Sequence, residues 1–173
     1  MLVFVGSNSS KSINEQLTKA VLKELNLSHT FVDLKMLDIP LFSEDLEREI
    51  KSPEGIVSLN EHISNYEHIF ITTNEHNSNM SAFFKNIVDW LSRADKNIFL
   101  NKKVFILSTS NGKRGGLGAN ELLQQLVLRL GANSIESFAF SSFSENFNRD
   151  TQEIINKEYL AEINNKLNSL FKS

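Results

Sequence analysis

Short apolar runs alternate with amphipathic stretches along the whole chain. Leu2 to Val5 is an apolar run, followed by small polar residues from Gly6 to Lys11. Ser12 to Leu25 then sets Ile13, Leu17, Ala20, Val21 and Leu25 near helical spacing. Thr30 to Leu34 reads as a second strand, and Lys35 to Lys51 as a long connection containing Pro40. Ser52-Pro53-Glu54 reads as a helix start, with Ser52 as N-cap and Pro53 in the first turn, of a helix reaching Asn65. Glu67 to Thr73 predicts a third strand and Ser81 to Arg93 a third helix. Lys103 to Ser108 predicts a fourth strand, whose run Val104-Phe105-Ile106-Leu107 suits burial on both faces. A glycine-rich loop, Gly112 to Gly118, precedes a helix over Ala119 to Leu130 that stops at Gly131. Ile135 to Phe140 is a fifth strand. Asp150 to Phe171 predicts the last helix, with Ile154, Ile155, Tyr159, Ile163, Leu167 and Leu170 on one side. Lys35 to Lys51 and Ser141 to Arg149 read as the least structured stretches, the second as a flap or a partner surface.

Five strands alternating with helices imply parallel βαβ units and an α/β three-layer sandwich. Right-handed crossovers restrict the topology, and five strands suit the flavodoxin-like order 2-1-3-4-5 in a five-stranded parallel sheet. The 173 residues are expected to form a single domain, 1–173, because that length buries a full core and no linker or repeat interrupts it.

A net charge of −3 supplies no excess of cations for phosphates, so neither nucleic acid nor an anionic membrane surface is an expected partner. The chain has no cysteine, which excludes disulfides and thiolate chemistry. No apolar run approaches the roughly 20 residues of a membrane helix, and Met1 to Val5 is too short for a signal peptide, so the expected location is cytoplasmic. Phe (13 residues) far outnumbers Tyr (2) and Trp (1), which reads as core filling. His29, His62 and His68 lack ligand spacing, so no metal is expected, and no G-x-S-x-G elbow supports a hydrolase.

In the predicted strand order, the loops after strands 1, 3 and 4 open on one edge of the sheet, where such folds hold ligands. The first, Gly6 to Asn14, feeds a helix N-terminus, whose unpaired amides favour an anion. A phosphate there could bond Ser7, Ser9, Ser12 and Asn14, with Lys11 as the nearby cation. The competing reading is plain capping, since Ser12-Ile13-Asn14-Glu15 fits a capping box. The second loop follows Thr73. The third carries four of the seven glycines, which either let backbone approach a flat ligand or simply make a flexible turn.

These segments together resemble the NADPH-dependent FMN reductase family, flavodoxin-like enzymes that include quinone, azo-dye and chromate reductases. Members typically begin G-S-x-R-x-x-S-x-N, and Gly6, Ser7, Ser12 and Asn14 fall in register. They carry P-E-Y-N-G-S after strand 3 and K-N-A-[IL]-D-W-x-S-R in the next helix. Glu75, Asn77, Lys85, Asn86, Asp89, Trp90, Ser92 and Arg93 match these, and Ser108, Gly112, Gly115 and Gly116 resemble the loop after strand 4.

The resemblance implies FMN held non-covalently, with its phosphate in Gly6–Asn14. Its ring would lie against Asn74, Glu75, His76, Asn77 and Ser78 and the loop with Ser108, Gly112, Gly115 and Gly116. NAD(P)H would supply the hydride, which passes through the flavin to a small-molecule electron acceptor such as a quinone or free flavin. No catalytic side chain is needed, because the flavin carries the chemistry. A homodimer or homotetramer is implied, with Asp89 and Trp90 in helix packing and the interface.

Four positions depart from the family pattern. The phosphate-loop Arg is Ser9, which removes a charge-assisted contact worth roughly 1.5–3 kcal/mol. Asn74 replaces Pro, His76 replaces Tyr, and Ser78 replaces Gly at a position that matters if φ is positive there. These losses support an alternative, a flavodoxin-fold FMN-binding or regulatory protein without reductase turnover. Lys113 and Arg114 could favour a 2′-phosphate or simply be solvated.

Overall fold

The computed structural model describes residues 1–172. β1 (Leu2–Val5), β2 (Thr30–Val32), β3 (His68–Thr73), β4 (Lys103–Thr109) and β5 (Ser134–Phe140) form one sheet in the order β2-β1-β3-β4-β5, every pairing parallel. The strands alternate faces at every residue. Leu2, Phe4, Ile69, Ile71, Val104 and Ile106 join one buried cluster. Val3, Phe70, Phe105 and Leu107 join the other.

Helices α3 (Glu54–Ser64), α4 (Ala82–Ala94) and α5 (Leu117–Arg129) cover the first face, and α1 (Ile13–Glu24) and α7 (Lys157–Lys172) the second. The sheet is thus apolar on both sides, as a parallel sheet between helix layers must be. Phenylalanine fills the second cluster, where Phe70 and Phe105 meet edge to face with ring centroids 5.0 Å apart. No helix of the described residues is long and apolar enough to cross a membrane.

The structure differs from the sequence expectations in four places. The second strand stops at Val32, so Leu34 belongs to a 3-10 turn, Leu34–Met36, and the connection that follows contains a further helix, α2 (Glu44–Ile50). Pro53, not Ser52, is the N-cap of α3, and the Ser52 hydroxyl is buried without a partner among the described residues. Ser141–Arg149 is ordered as a short helix, α6 (Phe143–Asn146), and β6 (Phe147–Asn148), which pairs antiparallel with β7 (Glu153–Ile154). The last helix therefore begins at Lys157 rather than Asp150, because Ile154 is buried as part of a strand and Ile155 is exposed.

The residues that carried the family resemblance in α4 are framework. Asn86 Nδ2 and Trp90 Nε1 both donate to the Pro40 carbonyl, at 2.9 and 2.8 Å. The Phe42 amide donates to Asn86 Oδ1 at 2.8 Å, and the Phe42 ring meets Trp90 edge-on at 5.1 Å. Arg93 reaches Glu47 on α2 at 2.9 Å, and Lys85 pairs with Asp89 one turn along α4. Asn86, Trp90 and Arg93 of α4 therefore fasten the connection between β2 and α3 at Pro40, Phe42 and Glu47.

His68, at the start of β3, stacks on Phe171 near the end of α7, with ring centroids 4.4 Å apart. Burial pushes the imidazole below its ordinary pKa of 6.5; Glu67 opposes this and Lys103 adds to it. The folded chain therefore prefers neutral His68. Its stabilising contribution is complete above the unfolded value and is lost as pH falls through the lower folded value. Thermal unfolding between about pH 7.5 and pH 5 is expected to show a stability loss that shrinks in His68→Phe. An unchanged loss in that variant would assign the effect to other groups.

Candidate functional site

β1 ends where Gly6 passes directly beneath α4. Its amide donates to Thr72 O at 2.7 Å, and its carbonyl accepts from Ser81 Oγ at 2.9 Å. A Cβ at residue 6 would lie 2.4 Å from Phe84 Cγ, closer than any real contact, so the close packing of α4 on this turn demands glycine. The chain then curls. Ser9 N–H donates to Ser7 Oγ at 3.4 Å, Lys11 N–H to Ser9 Oγ at 3.2 Å, and Ser12 N–H to Ser9 O at 3.2 Å.

Ser12 caps α1, its Oγ accepting the Glu15 amide at 3.3 Å. Only this half of the expected capping box forms. The Glu15 carboxylate turns instead to Lys19 and Lys35, each 2.6 Å away. Burial would raise the Glu15 pKa, but the hydrogen bonds and charges of these lysines outweigh it and hold the carboxyl below its usual range. The acid in the first turn is therefore neutralised locally. The amides of Ile13 and Asn14 remain the available donors at this helix end.

Asn14 does not present its side chain to the cleft as a free donor. Buried, it grips the end of β4 with both ends of its carboxamide. Nδ2 donates to Thr109 O at 3.2 Å and Oδ1 accepts the Thr109 amide at 2.9 Å.

β3 ends in a tight turn closed by two bonds between His76 and Asn79, at 2.8 and 3.0 Å. Both central residues have positive φ, Asn77 at 52° and Ser78 at 60°. This is the type I′ pattern, which favours Asn followed by Gly. Asn77 suits its place; Ser78 occupies the glycine position against its preference. Ser78→Gly is expected to stabilise the protein by about 0.5–1 kcal/mol, read as a rise of about 1–4 °C in thermal midpoint. A fall would mean that the Ser78 side chain contributes a contact of its own.

Two side chains of the same loop work in opposite directions. Glu75 Oε2 accepts the Ala119 amide at 3.0 Å and so caps α5 from another segment of the chain. Asn74 Nδ2 lies 2.9 Å from His76 Nε2, while Asn74 Oδ1 is shut from water and meets no donor among the described residues.

The loop after β4 is held from behind. Gly112 O accepts the amides of Gly115 and Ser142, at 3.2 and 3.0 Å, and Ser110 O accepts the Phe143 amide at 3.0 Å. Ser144 Oγ donates to Asn111 Oδ1 at 2.7 Å. Ser108 is fully buried and bonded to Asn120 at 3.1 Å. Gly115 and Gly116 are buried too, with positive φ, against the backbone of Phe140 and the side chain of Ser108. Their positive φ turns the chain sharply into α5, with Gly116 as its N-cap.

The three loops bound a cleft of about 340 Å³. It brings together Ser7, Ser9, Lys11, Ser12, Asn14, Asn74, Glu75 and His76 of the expected residues. Asn77, Ser78, Ser108, Gly112, Gly115 and Gly116 do not line it. Asn8, Ile13, Thr109, Ser110 and Asn111 do, and were not singled out from the sequence. Their signal was present: β4 runs one residue further than expected, to Thr109, and the polar residues that follow precede the glycines. Two larger depressions, of about 500 and 490 Å³, lie by Pro40 and by Lys51, away from the convergent strand ends.

The family model described as NADPH-dependent FMN reductase matches residues 1–145 of the chain. An uncharacterized Mycoplasma pneumoniae protein, MG342 homolog, is 30% identical over 164 residues, covering 89% of this chain and 97% of its own. A quinone reductase of Pseudomonas putida is 30% identical over 129 residues, covering 74% of this chain and 69% of its own. Among solved structures, the flavoenzyme NAD(P)H:(acceptor) oxidoreductase FerB of Paracoccus denitrificans superposes with a TM-score of 0.79 at 23% identity, over 99% of this chain and 96% of that one. That likeness bears on the fold.

Proposed function

Because the chain belongs to the NADPH-dependent FMN reductase family, we propose that it reduces a small acceptor, a quinone or free flavin, with electrons from NAD(P)H by way of FMN. It is an NAD(P)H-dependent oxidoreductase, and its cofactors are FMN and NAD(P)H. The quinone reductases among its relatives support the acceptor class. The observation that carries the reading is the convergence of three strand-end loops on one cleft that opens at the first turn of α1.

The residues present fit FMN. The Ile13 and Asn14 amides, the hydroxyls of Ser7, Ser9 and Ser12, and the exposed Lys11 would hold the phosphate, with the dipole of α1 favouring its charge. Lys11 offers a point charge where a guanidinium would offer a fork, so the phosphate grip is weaker than an arginine would give. Asn74 to His76 and Ser110 to Asn111 would border the ring. When bound, FMN supplies the hydride-accepting and hydride-donating chemistry. Asn14 keeps the loop after β4 in register with the phosphate turn, and Glu75 keeps the loop after β3 against α5.

Ser9, Asn74, His76 and Ser78 also support a second reading, a protein that binds FMN without turnover. NADPH oxidation in the presence of added FMN and a quinone separates the two. Turnover above the flavin-only background supports the reductase. Tight FMN binding without it supports the binder, and no binding at tens of micromolar FMN sinks both. We further propose a cytoplasmic homodimer or homotetramer. Met36 and Leu41, each about four-fifths exposed, support association, which light scattering tests.

A further inference from the structure

The loop after β4 carries the sole Asn-Gly pair of the chain, Asn111-Gly112. Both residues are exposed, and Asn111 lines the cleft. In such a pair the carboxamide carbon of the first residue and the amide nitrogen of the second can close a five-membered ring. Glycine has no Cβ to obstruct the closure, and the reacting groups are neighbours in the chain.

Two hydrogen bonds favour that closure here. Ser144 Oγ donates to Asn111 Oδ1 at 2.7 Å, on the oxygen where negative charge develops when Cγ is attacked. The Gly112 amide donates to Ser110 Oγ at 3.3 Å, which sets an acceptor on the proton that the nitrogen must lose. The two serines are tied together, since the Phe143 amide donates to Ser110 O at 3.0 Å and Ser144 follows Phe143 in α6.

We propose that Asn111 is a site of spontaneous covalent modification, deamidation, and that its product sets a fixed negative charge in the wall of the cleft. Gly112 N attacks Asn111 Cγ and forms the new N–Cγ bond. The Cγ–Nδ2 bond breaks, and Nδ2 departs as ammonia with the proton lost by Gly112 N. Water then opens the cyclic imide at one of its two carbonyls, giving aspartate or isoaspartate. The step needs no oxidant or reductant. Its consequence rests on the reading that this cleft takes FMN: the new carboxylate shares the cleft with the phosphate turn and repels the phosphate.

The test incubates apo protein in warm, mildly alkaline buffer and follows intact mass and tryptic peptides. The peptide 104–113 is expected to exchange an amide for a carboxyl before any peptide holding the Asn-Ser pairs at Asn8, Asn77, Asn133 or Asn168. Gly112→Ala is expected to slow the exchange. A Cβ there meets only Ser110 Oγ, at 3.6 Å, so this variant keeps the fold. Ser144→Ala, which removes the donor from Oδ1, is expected to slow it as well. Asn111→Asp keeps an acceptor for Ser144 and stands in for the product. Its Kd for FMN is expected to rise about two- to fivefold, an increase that shrinks in high salt.

The proposal is overturned if another asparagine converts first, or if Gly112→Ala or Ser144→Ala converts as fast as wild type or faster. Faster conversion in Ser144→Ala would make that hydroxyl a guard of the carboxamide. An Asn111→Asp affinity equal to wild type, or a loss that salt leaves unchanged, overturns the charge argument. Failure of the wild-type protein to bind FMN removes the cofactor reading, whereas the mass change is read without FMN and is decided apart from it.

Discussion

Trp90→Ala is expected to destabilise the protein by about 3–5 kcal/mol, the largest loss predicted for a single side chain here. Trp90 is fully buried in the cluster shared by α3, α4 and the sheet, so truncation removes both apolar area and packing contacts. It also removes the Nε1–H bond to Pro40 and the edge contact with Phe42. At about 2–4 °C of midpoint per kcal/mol for a chain of this size, the fall is about 6–20 °C. Trp90→Phe separates the two contributions. It keeps most of the apolar surface, and Asn86 still donates to Pro40 O, so a loss of about 1–2 kcal/mol is expected. If alanine and phenylalanine at this position proved equally costly, the Pro40 bond rather than the packing would account for most of the loss.

Asn14→Ala is expected to cost about 2–3 kcal/mol and to weaken FMN binding together with stability. The side chain satisfies both the N–H and the C=O of Thr109, and Thr109 is itself buried. Truncation leaves two main-chain groups without partners at the end of a central strand, each costing about 1–3 kcal/mol unless water reaches it. Because Thr109 opens the loop that carries Ser110 and Asn111 into the cleft, that wall loosens with it. Asn14→Asp tests the geometry, since it keeps an acceptor for the Thr109 amide and sets a carboxylate oxygen against the Thr109 carbonyl. Denaturant unfolding and FMN titration measure the two effects. A variant that loses stability but binds FMN unchanged would detach Asn14 from the site.

The sheet was legible because each strand is a short run of apolar or β-branched residues set off by a polar turn. Both faces of the central strands are covered, so the runs are nearly continuous. α2 was missed because none of its residues is buried, leaving no periodic apolar stripe to read. It is held by a Ser43 cap and by Arg93 reaching Glu47. The β6–β7 pair was missed because two residues a side carry no pattern, and Ile154 fell by coincidence on the helical period of the residues that follow. At the site, the loops were legible and the duties of their residues were not. Asn14 is 95 residues from Thr109, and Glu75 is 44 from Ala119. Nothing local encodes such pairs. Ser108, Gly115 and Gly116 have the composition of a ligand surface, yet they are inside because α5 must leave β4 at a sharp angle.

The cap that Glu75 places on α5 gives the cleft a direction. Two long helices, α1 and α5, begin near this rim, and each would otherwise draw negative charge to its start. At α5 a carboxylate from the β3 loop already fills that role, and a second negative group there would be repelled. At α1 the cap is an uncharged serine, and the neighbouring acid is cancelled by two lysines. For an elongated molecule with one ionic end and one flat end, this difference in charge favours the sense that sets the ionic end at α1.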